Sequence, residues 1–408
     1  MIPLNRPLIY NNSSSGIEEY LQKYYPKRSV NYTFSARQGL FSIYEFLFKA
    51  QGKQKVAVSP LTCFEALYPI ISNGHEPIFI DINPETFLMN EKKIDEKADI
   101  VQAIHFGGFP QNMNLLGDFC KDYNATLIED CAQSLGSEFA DKNVGNFGHY
   151  SVLSFFKNLH ALGGGAIISK SKNSIPDLNE EPVSKLITYY RIIKRKLESL
   201  VSYNTPIYSF LYKSLLHTKP KDTSLVFEKY NLNNIIKKSI DQQISNFENL
   251  IKCRNNNAKY ILENIKDKFI PQKSNFNSLP VYSRLMFYSP YNSQKIIYLL
   301  RKKGIGANHL TQNYLTTYQE SIYYNKHLKH FINNNKLINY NKIHNNIFSI
   351  PISSNLKKNE MDYIIENLNK LQMEKSSDEK MNLYGMNFSI TNFDDSFKKI
   401  REYHNSFP

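Results

Sequence analysis

Tryptophan is absent from this 408-residue chain and cysteine is scarce, with four residues at Cys63, Cys120, Cys131 and Cys253. Without a CxxC pair or a Cys/His cluster, those four exclude a disulfide framework and a structural zinc site, and they fit a reducing compartment. The chain also lacks any uninterrupted apolar run of the roughly 18 residues that a membrane span requires. Its start, MIPLNRPLIYNNSSSG, has neither the charged-then-apolar layout nor the small-residue cleavage site of a secretory signal. A cytoplasmic protein that does not cross a membrane is expected. Acidic residues are outnumbered, 37 against 50 Lys and Arg for a net +13, so the molecular field favours anionic partners. That charge is not arranged around any nucleic-acid recognition element, which argues against DNA or RNA and keeps phosphate-bearing small molecules and anionic membrane surfaces in play. The missing tryptophan, beside 28 Tyr and 26 Phe, carries no functional message. With 41% hydrophobic and 21% charged residues, wholesale disorder is excluded, and the length accommodates a large domain with a smaller one attached.

From about residue 35 to 170, short β-branched runs alternate with helical stretches, the pattern of a parallel sheet covered by helices. The candidate strands are 56–58, 78–81, 100–104, 126–129, 151–155 and 166–168, with helices expected over 40–50, 63–73 and 115–123. Gly74 stands where a left-handed helix cap is expected. The text then changes: residues 185–221 hold eight Lys or Arg against the single acid Glu198, a net +7, among many Tyr, Leu and Ile. Two interpretations remain open there, a basic amphipathic hairpin for a membrane surface or partner, and an inserted helical pair packed on its own protein. Helical patterning is present on both sides of Pro206. A long amphipathic helix is expected over about 235–265, followed by a smaller α/β region with a glycine-capped helix end at Lys303-Gly304-Ile305-Gly306, a strand at 348–351 and a closing helix at 361–371. The expected division is a large domain over 1–170, a basic helical insertion over 171–230, a linking helix over 231–265, a small domain over 266–372 and a tail over 373–408.

The most informative text is Glu129-Asp130-Cys131-Ala132-Gln133-Ser134, then Val144-Gly145-Asn146-Phe147-Gly148, then Ser154-Phe155-Phe156-Lys157-Asn158 and Gly163-Gly164-Gly165. An acid at the carboxyl end of a strand projects into the crevice where open α/β sheets bind ligands, and Asp130 is placed for that. One strand further on, Lys157 can reach the same crevice, and the glycines allow a tight turn or close approach to a phosphate. A carboxylate paired with a lysine is the minimum outfit for pyridoxal phosphate, the lysine forming a Schiff base and the carboxylate keeping the pyridine nitrogen protonated. Taken alone, the same two residues also fit a helix cap and a solvated surface charge.

Beyond that pair, the chain resembles the DegT/DnrJ/EryC1/StrS family of sugar aminotransferases. The resemblance runs through Ile2-Pro3-Leu4-Asn5-Arg6-Pro7, Ser35-Ala36-Arg37-Gln38-Gly39, Pro60-Leu61-Thr62-Cys63, Gly74 to Ile82, Ile104-His105-Phe106-Gly107-Gly108, and Gln243 to Arg254 with Ala258, over roughly 1–170 and 235–370. It implies an α/β fold-type-I transferase with a large, mainly parallel sheet carrying helices on both faces and a smaller C-terminal α/β domain. Pyridoxal 5'-phosphate is the implied cofactor, glutamate the implied amino donor, and a nucleotide-linked keto-sugar for polysaccharide or glycoconjugate synthesis the implied acceptor. The implied assembly is a homodimer. Carried over by position, Lys157 becomes the Schiff-base lysine, Asp130 the partner of the pyridine nitrogen, and Gln133 the neighbour of the ring hydroxyl. Ser154 and the backbone at Ala36 and Arg37 match phosphate-binding positions, Thr62 and Cys63 the stretch over the ring, and Asn233 a phosphate contact supplied by the neighbouring subunit. His105 fits either a pocket-facing position or a core histidine.

The chain departs from the family in one informative place. Ser154-Phe155-Phe156-Lys157 is two residues shorter than the usual stretch before the lysine. That short stretch supports one alternative to the aminotransferase, a catalytically silent member recruiting polysaccharide enzymes through 185–221. A second, independent of it, is a sugar dehydratase of the same lineage, against which Lys157 speaks because such enzymes generally lack that lysine. Peripheral membrane contact through 185–221 is a further expectation.

Overall fold

Short apolar runs that are hydrophobic on both faces require cover on both faces, and a sheet sandwiched between helices provides it. The computed structural model describes residues 16–159, 161–170, 181–200, 230–266, 269–291, 293–309, 328–371, 380–383 and 386–389. Helix α1 (Ile17–Tyr24) leads to β1 (Ser29–Thr33), α2 (Ala36–Gln51), β2 (Lys55–Val58), α3 (Phe64–Ser72), β3 (Glu76–Phe79), β4 (Ile100–Ile104), α4 (Met113–Asp122) and β5 (Thr126–Cys131). A short hairpin, β6 (Glu138–Phe139) and β7 (Lys142–Asn143), precedes β8 (Tyr150–Ser154) and β9 (Gly165–Ser169). Seven strands form one sheet in the order β1-β9-β8-β5-β4-β2-β3. Strands β2, β3, β4, β5 and β8 are parallel, β9 is antiparallel to β8, and β1, antiparallel to β9, rejoins the parallel set.

One face of the sheet presents Val58, Ile128, Val152 and Ile167 to Leu40 and Ile43 of α2 and Leu67 and Ile70 of α3. The other presents Ala57, Val101, Leu127, Leu153 and Ile168 to Leu116 of α4 and to Ile236 and Ile240. Each strand expected from the sequence overlaps an observed one, while β1 is an addition. Its sequence, SVNYT, is half-buried at the sheet edge and carries no clean alternation.

Helix α5 (Lys185–Leu200) follows, with Leu186, Tyr189 and Ile193 on its outer surface at 79%, 53% and 59% exposure. The rest of the basic segment, including the stretch after Pro206, lies outside the described residues, as do Ile2 to Pro7. The single helix expected over 235–265 is two, α6 (Asn234–Ile244) and α7 (Phe247–Asn264). At the junction the Asn246 N–H donates to Gln243 O at 3.2 Å, a tightened turn, and Asn246 leaves the helical region at φ −112° and ψ 17°. Ser245 and Asn246 are residue types that compete with helical backbone bonding, which makes the break local in origin.

The C-terminal region contains β10 (Ile270–Pro271), β11 (Ser278–Leu279), β12 (Leu285–Tyr288), α8 (Ser293–Lys302), β13 (Asn308–His309), α9 (Ile338–Ile343), β14 (Ile347–Ile350) and α10 (Lys358–Lys370). Its sheet runs β10-β12-β14-β13 around a core of Leu285, Phe287, Leu300, Phe348, Ile364 and Leu368. Asp81, just past β3, ties this region to the large sheet: its buried carboxylate accepts the Asn339 and Tyr340 amides at 3.1 and 2.9 Å and pairs with Lys93 at 3.0 Å. In the expected tail, β15 (Lys380–Leu383) and β16 (Met386–Ser389) form an antiparallel hairpin.

Candidate active site

Side chains alternate across a strand, so neighbours in sequence serve opposite faces. On β5, Ile128 faces α2 and α3 while Leu127 and Cys131 face the opposite cluster. Asp130 therefore belongs to the α2 side and Glu129 to the other.

Asp130 is buried and accepts the Ala132 N–H on Oδ1 at 3.0 Å. Burial pushes its carboxyl above the usual aspartate range, and the Lys157 ammonium pulls it back. Lys157 stands in the turn after β8, the strand beside β5, and is partly exposed. Cys63, which begins α3, shares this environment. Burial pushes its thiol up to about 12; Glu65 adds to the shift, Lys157 opposes it and Asp130 adds a little more. Three of the expected residues, in or just beyond the ends of β2, β5 and β8, thus influence one another electrostatically.

Gln133 joins them with a defined orientation. Its Oε1 accepts the Gly107 N–H at 3.0 Å, so its NH2 group is the end remaining to donate to an acceptor in the crevice. Ser154 ends β8 on the same face as Val152, is buried, and accepts the Phe156 N–H at 3.3 Å, leaving its hydroxyl proton to donate. Ser154 pairs across the sheet with Gly165, where an added Cβ would lie 2.8 Å from the Ala36 nitrogen. Only glycine permits that approach, which brings the start of α2 beside the end of β8. There Ser35 caps the helix by accepting the Gln38 N–H at 3.2 Å, while Gly39 N–H bonds Ser35 O, so the Ala36 amide lies outside both bonds. A helix N-terminus with a nearby hydroxyl suits a phosphate. Ala36 is buried and Arg37 is exposed beside it.

Asn233 has a different occupation. Its Oδ1 caps α6 by accepting the Ile235 and Ile236 amides at 3.1 and 3.0 Å, and its Nδ2 donates to Val183 O and Thr188 Oγ1 at 2.9 and 2.8 Å. Its side-chain hydrogen-bonding capacity is engaged within its own chain.

Glu129 was not singled out from sequence, yet it organises the back of the site. Fully buried, it accepts the amides of Gly145, Phe147 and Gly148 at 2.7, 2.7 and 2.6 Å, with Ser151 Oγ and His105 Nε2 each at 3.2 Å. Burial alone would raise its carboxyl, but His105 and the Gly148 and Gly145 amides outweigh it and hold it below the ordinary range. The signal was available: a charged residue inside a buried strand requires partners. His105 is the core histidine of the two options, since its Nδ1 accepts the Gln111 N–H at 3.1 Å and Nε2 carries the proton toward Glu129. His105, Glu129 and Cys131 could be mistaken for metal ligands, with donor atoms within 4.8 Å of one another. Both imidazole nitrogens are engaged, and burial, then Glu129 and Asp130, keep the Cys131 thiol protonated.

A mainly parallel seven-stranded sheet with one antiparallel strand, carrying a lysine and a carboxylate at adjacent strand ends, defines the fold-type-I transferase class. Within that class, the chain belongs to the DegT/DnrJ/EryC1/StrS aminotransferase family, whose model matches residues 9–369. It is 31% identical over 171 residues to GDP-perosamine synthase of Escherichia coli O157:H7, covering 39% of this chain and 47% of that protein. It is 30% identical over 155 residues to a Campylobacter jejuni UDP-4-amino-4,6-dideoxy-N-acetyl-beta-L-altrosamine transaminase, covering 36% of this chain and 39% of the relative. The matched stretch thus spans about half the length of the first relative and less of the second. The fold is shared with Helicobacter pylori PseC, described as an aminotransferase of pseudoaminic acid biosynthesis, at TM-score 0.62 and 18% identity over 86% of this chain and 88% of that one. It is also shared with the GDP-4-keto-6-deoxymannose-3-dehydratase ColD, at TM-score 0.63 and 17% identity over 86% and 90%. No helix among the described residues is long and apolar enough to cross a membrane.

Proposed function

We propose that this protein is a pyridoxal-phosphate-dependent aminotransferase that moves an amino group from an amino acid, glutamate, to a nucleotide-linked keto-sugar in polysaccharide or glycoconjugate synthesis. The observation carrying the reading is buried Asp130 on β5 with Lys157, in the turn after the neighbouring strand β8, close enough to pull its carboxyl down, in a chain of this family. The residues fit the cofactor in kind. Asp130 is a buried anion that would bond the pyridine N–H, the Gln133 NH2 group would meet the ring oxygen, and the Ala36 amide with the Ser154 hydroxyl would hold the phosphate. Cys63 would lie against the ring. Pyridoxal phosphate, when bound, supplies a conjugated electron sink.

The protein's own part is to place and move protons. The Lys157 amine would act as the general base that takes the proton from the donor's amine-bearing carbon and, once protonated, as the general acid that gives it back. Asp130 would hold a negative charge toward the ring nitrogen and so favour the protonated ring. With the keto-sugar as acceptor, the same lysine would serve the proton transfers in reverse. A homodimer is part of this reading, with Asn233 reaching a partner's phosphate only by giving up its helix cap. Cytoplasmic placement against an anionic membrane face is supported by the exposed Leu186, Tyr189 and Ile193 within a segment of net +7.

The dehydratase alternative has a relative in fold, but Lys157 favours amino transfer. Visible absorption decides. The purified protein with pyridoxal phosphate should show the band of a lysine-bound cofactor, Lys157→Ala should lack it, and glutamate should bleach it. A parent protein without the band would sink the enzyme reading, and a band indifferent to every amino donor would favour the silent alternative.

A further inference from the structure

Strand β8 ends at Ser154 and only Phe155 and Phe156 separate it from Lys157, so the lysine's starting point depends on how this short turn is held. The strand side is fixed by Phe155 N–H to Gly164 O at 3.0 Å and Ala161 N–H to Phe155 O at 3.1 Å. The other side is fixed through Asn158, the residue after the lysine, which is only 1% exposed. Its Nδ2 donates to Gln133 O at 3.2 Å and Leu135 O at 3.1 Å, stitching the Lys157 turn to the segment that follows Asp130. From behind, Arg254 of α7 grips both oxygens of the same residue, with Nη1 to Asn158 Oδ1 at 3.3 Å and Nη2 to the Asn158 carbonyl at 3.0 Å.

We propose that Asn158 and Arg254 act as one positioning unit that fixes the backbone of Lys157 relative to Asp130 and Gln133, and thereby sets where the lysine amine works. The inference rests on Lys157 being the cofactor-bound lysine. Neither residue is assigned contact with the reacting atoms. A lysine side chain has four flexible carbons, so control over it comes from its anchor, and a misplacement of about 1 Å costs on the order of 10²-fold in rate. The choice of arginine follows from geometry, because a planar fork can serve two oxygens at once where an ammonium offers a single point charge. Burial pulls Arg254 down to about 10, which leaves it charged at neutral pH and its hydrogen bonds charge-assisted.

The test compares Asn158→Ala, Arg254→Lys and the double variant with the parent, all loaded with pyridoxal phosphate. Each variant should keep the circular dichroism of the parent and the visible band of lysine-bound cofactor. The pH midpoint of that band should move, and the rate at which glutamate bleaches it should fall about 10²-fold at unchanged half-saturating glutamate. The double variant should be no slower than the slower single, as expected of residues acting as a unit. In cofactor-free protein, hydrogen exchange of amides 155–159 should quicken while β4 and β5 stay protected. Parental midpoint and rate in both single variants, or losses that multiply in the double, would overturn the positioning role. Should Arg254→Lys fail to fold, Asn158→Ala decides alone. A parent without the band defeats the cofactor reading and this inference with it, whereas a parental band with indifferent variants defeats positioning only.

Discussion

Asp130 and Glu129 are adjacent carboxylates with opposite electrostatic histories. Glu129 is held charged by three amides, a serine and a histidine, whereas Asp130 has one amide, a raised carboxyl and a lysine nearby. Without cofactor, ionised Asp130 therefore opposes folding. Because its folded value is raised, stability declines as pH climbs through that value, and Asn at this position removes the decline while retaining an acceptor for the Ala132 N–H. Asp130→Asn should thus melt slightly higher than the parent in cofactor-free form, at about 1 °C per kcal/mol recovered for a chain of this length, with the gap widening from acid to neutral pH. The same change should cut amino transfer by about 10²-fold or more. Calorimetry across pH with a glutamate half-reaction checks both; an apo variant less stable than the parent at neutral pH would refute the account. Lys157 and Asp130 stand out in the sequence because a lysine and a strand-end acid on neighbouring strands are the chemistry a pyridoxal site would need, and Gln133 stands out through the family resemblance alone. Asn158 and Arg254 do not, since they act through contacts 96 positions apart that no local pattern announces.

At the scale of elements, the loop after β4 joins the large sheet to the small region. Gly108 O accepts the Val281 N–H and Gly107 O accepts the Ser283 N–H, while the Gly107 N–H holds Gln133. Gly108 sits at φ +94° with Val281 O only 1.8 Å from where a Cβ would stand. Gly108→Ala should cost about 2 kcal/mol or more in urea unfolding and weaken cofactor binding as the Gln133 contact shifts. Gly117→Ala, on α4 with nothing within 4 Å, is the control and should stabilise by about 0.5–1 kcal/mol. Equal stability for the two variants would contradict this. The strands of the large sheet were legible because burial on both faces leaves unbroken apolar text. The edge strand β1 and the break between α6 and α7 were not, because a half-buried edge carries little pattern and a two-residue kink leaves the helical period almost intact.

Across the whole molecule, more than half of the net +13 falls within 185–221, and the described start of that segment turns apolar side chains outward. Such a combination suits an anionic bilayer surface. Flotation with phosphatidylserine vesicles should recover the parent protein, recover little of a Leu186→Ser/Ile193→Ser variant, and weaken with salt. Equal flotation of both forms, or recovery by neutral vesicles alone, removes the membrane reading. The sheet's connectivity bears on how the protein is made. The proposed phosphate cradle forms where Thr33 meets Gly165 and Ala36 adjoins that glycine, partners roughly 130 residues apart in the chain. Loops of that length close late during folding. A cofactor seated there would therefore be a latecomer, with no complete seat on a half-folded chain, and would lock a finished sheet rather than nucleate one.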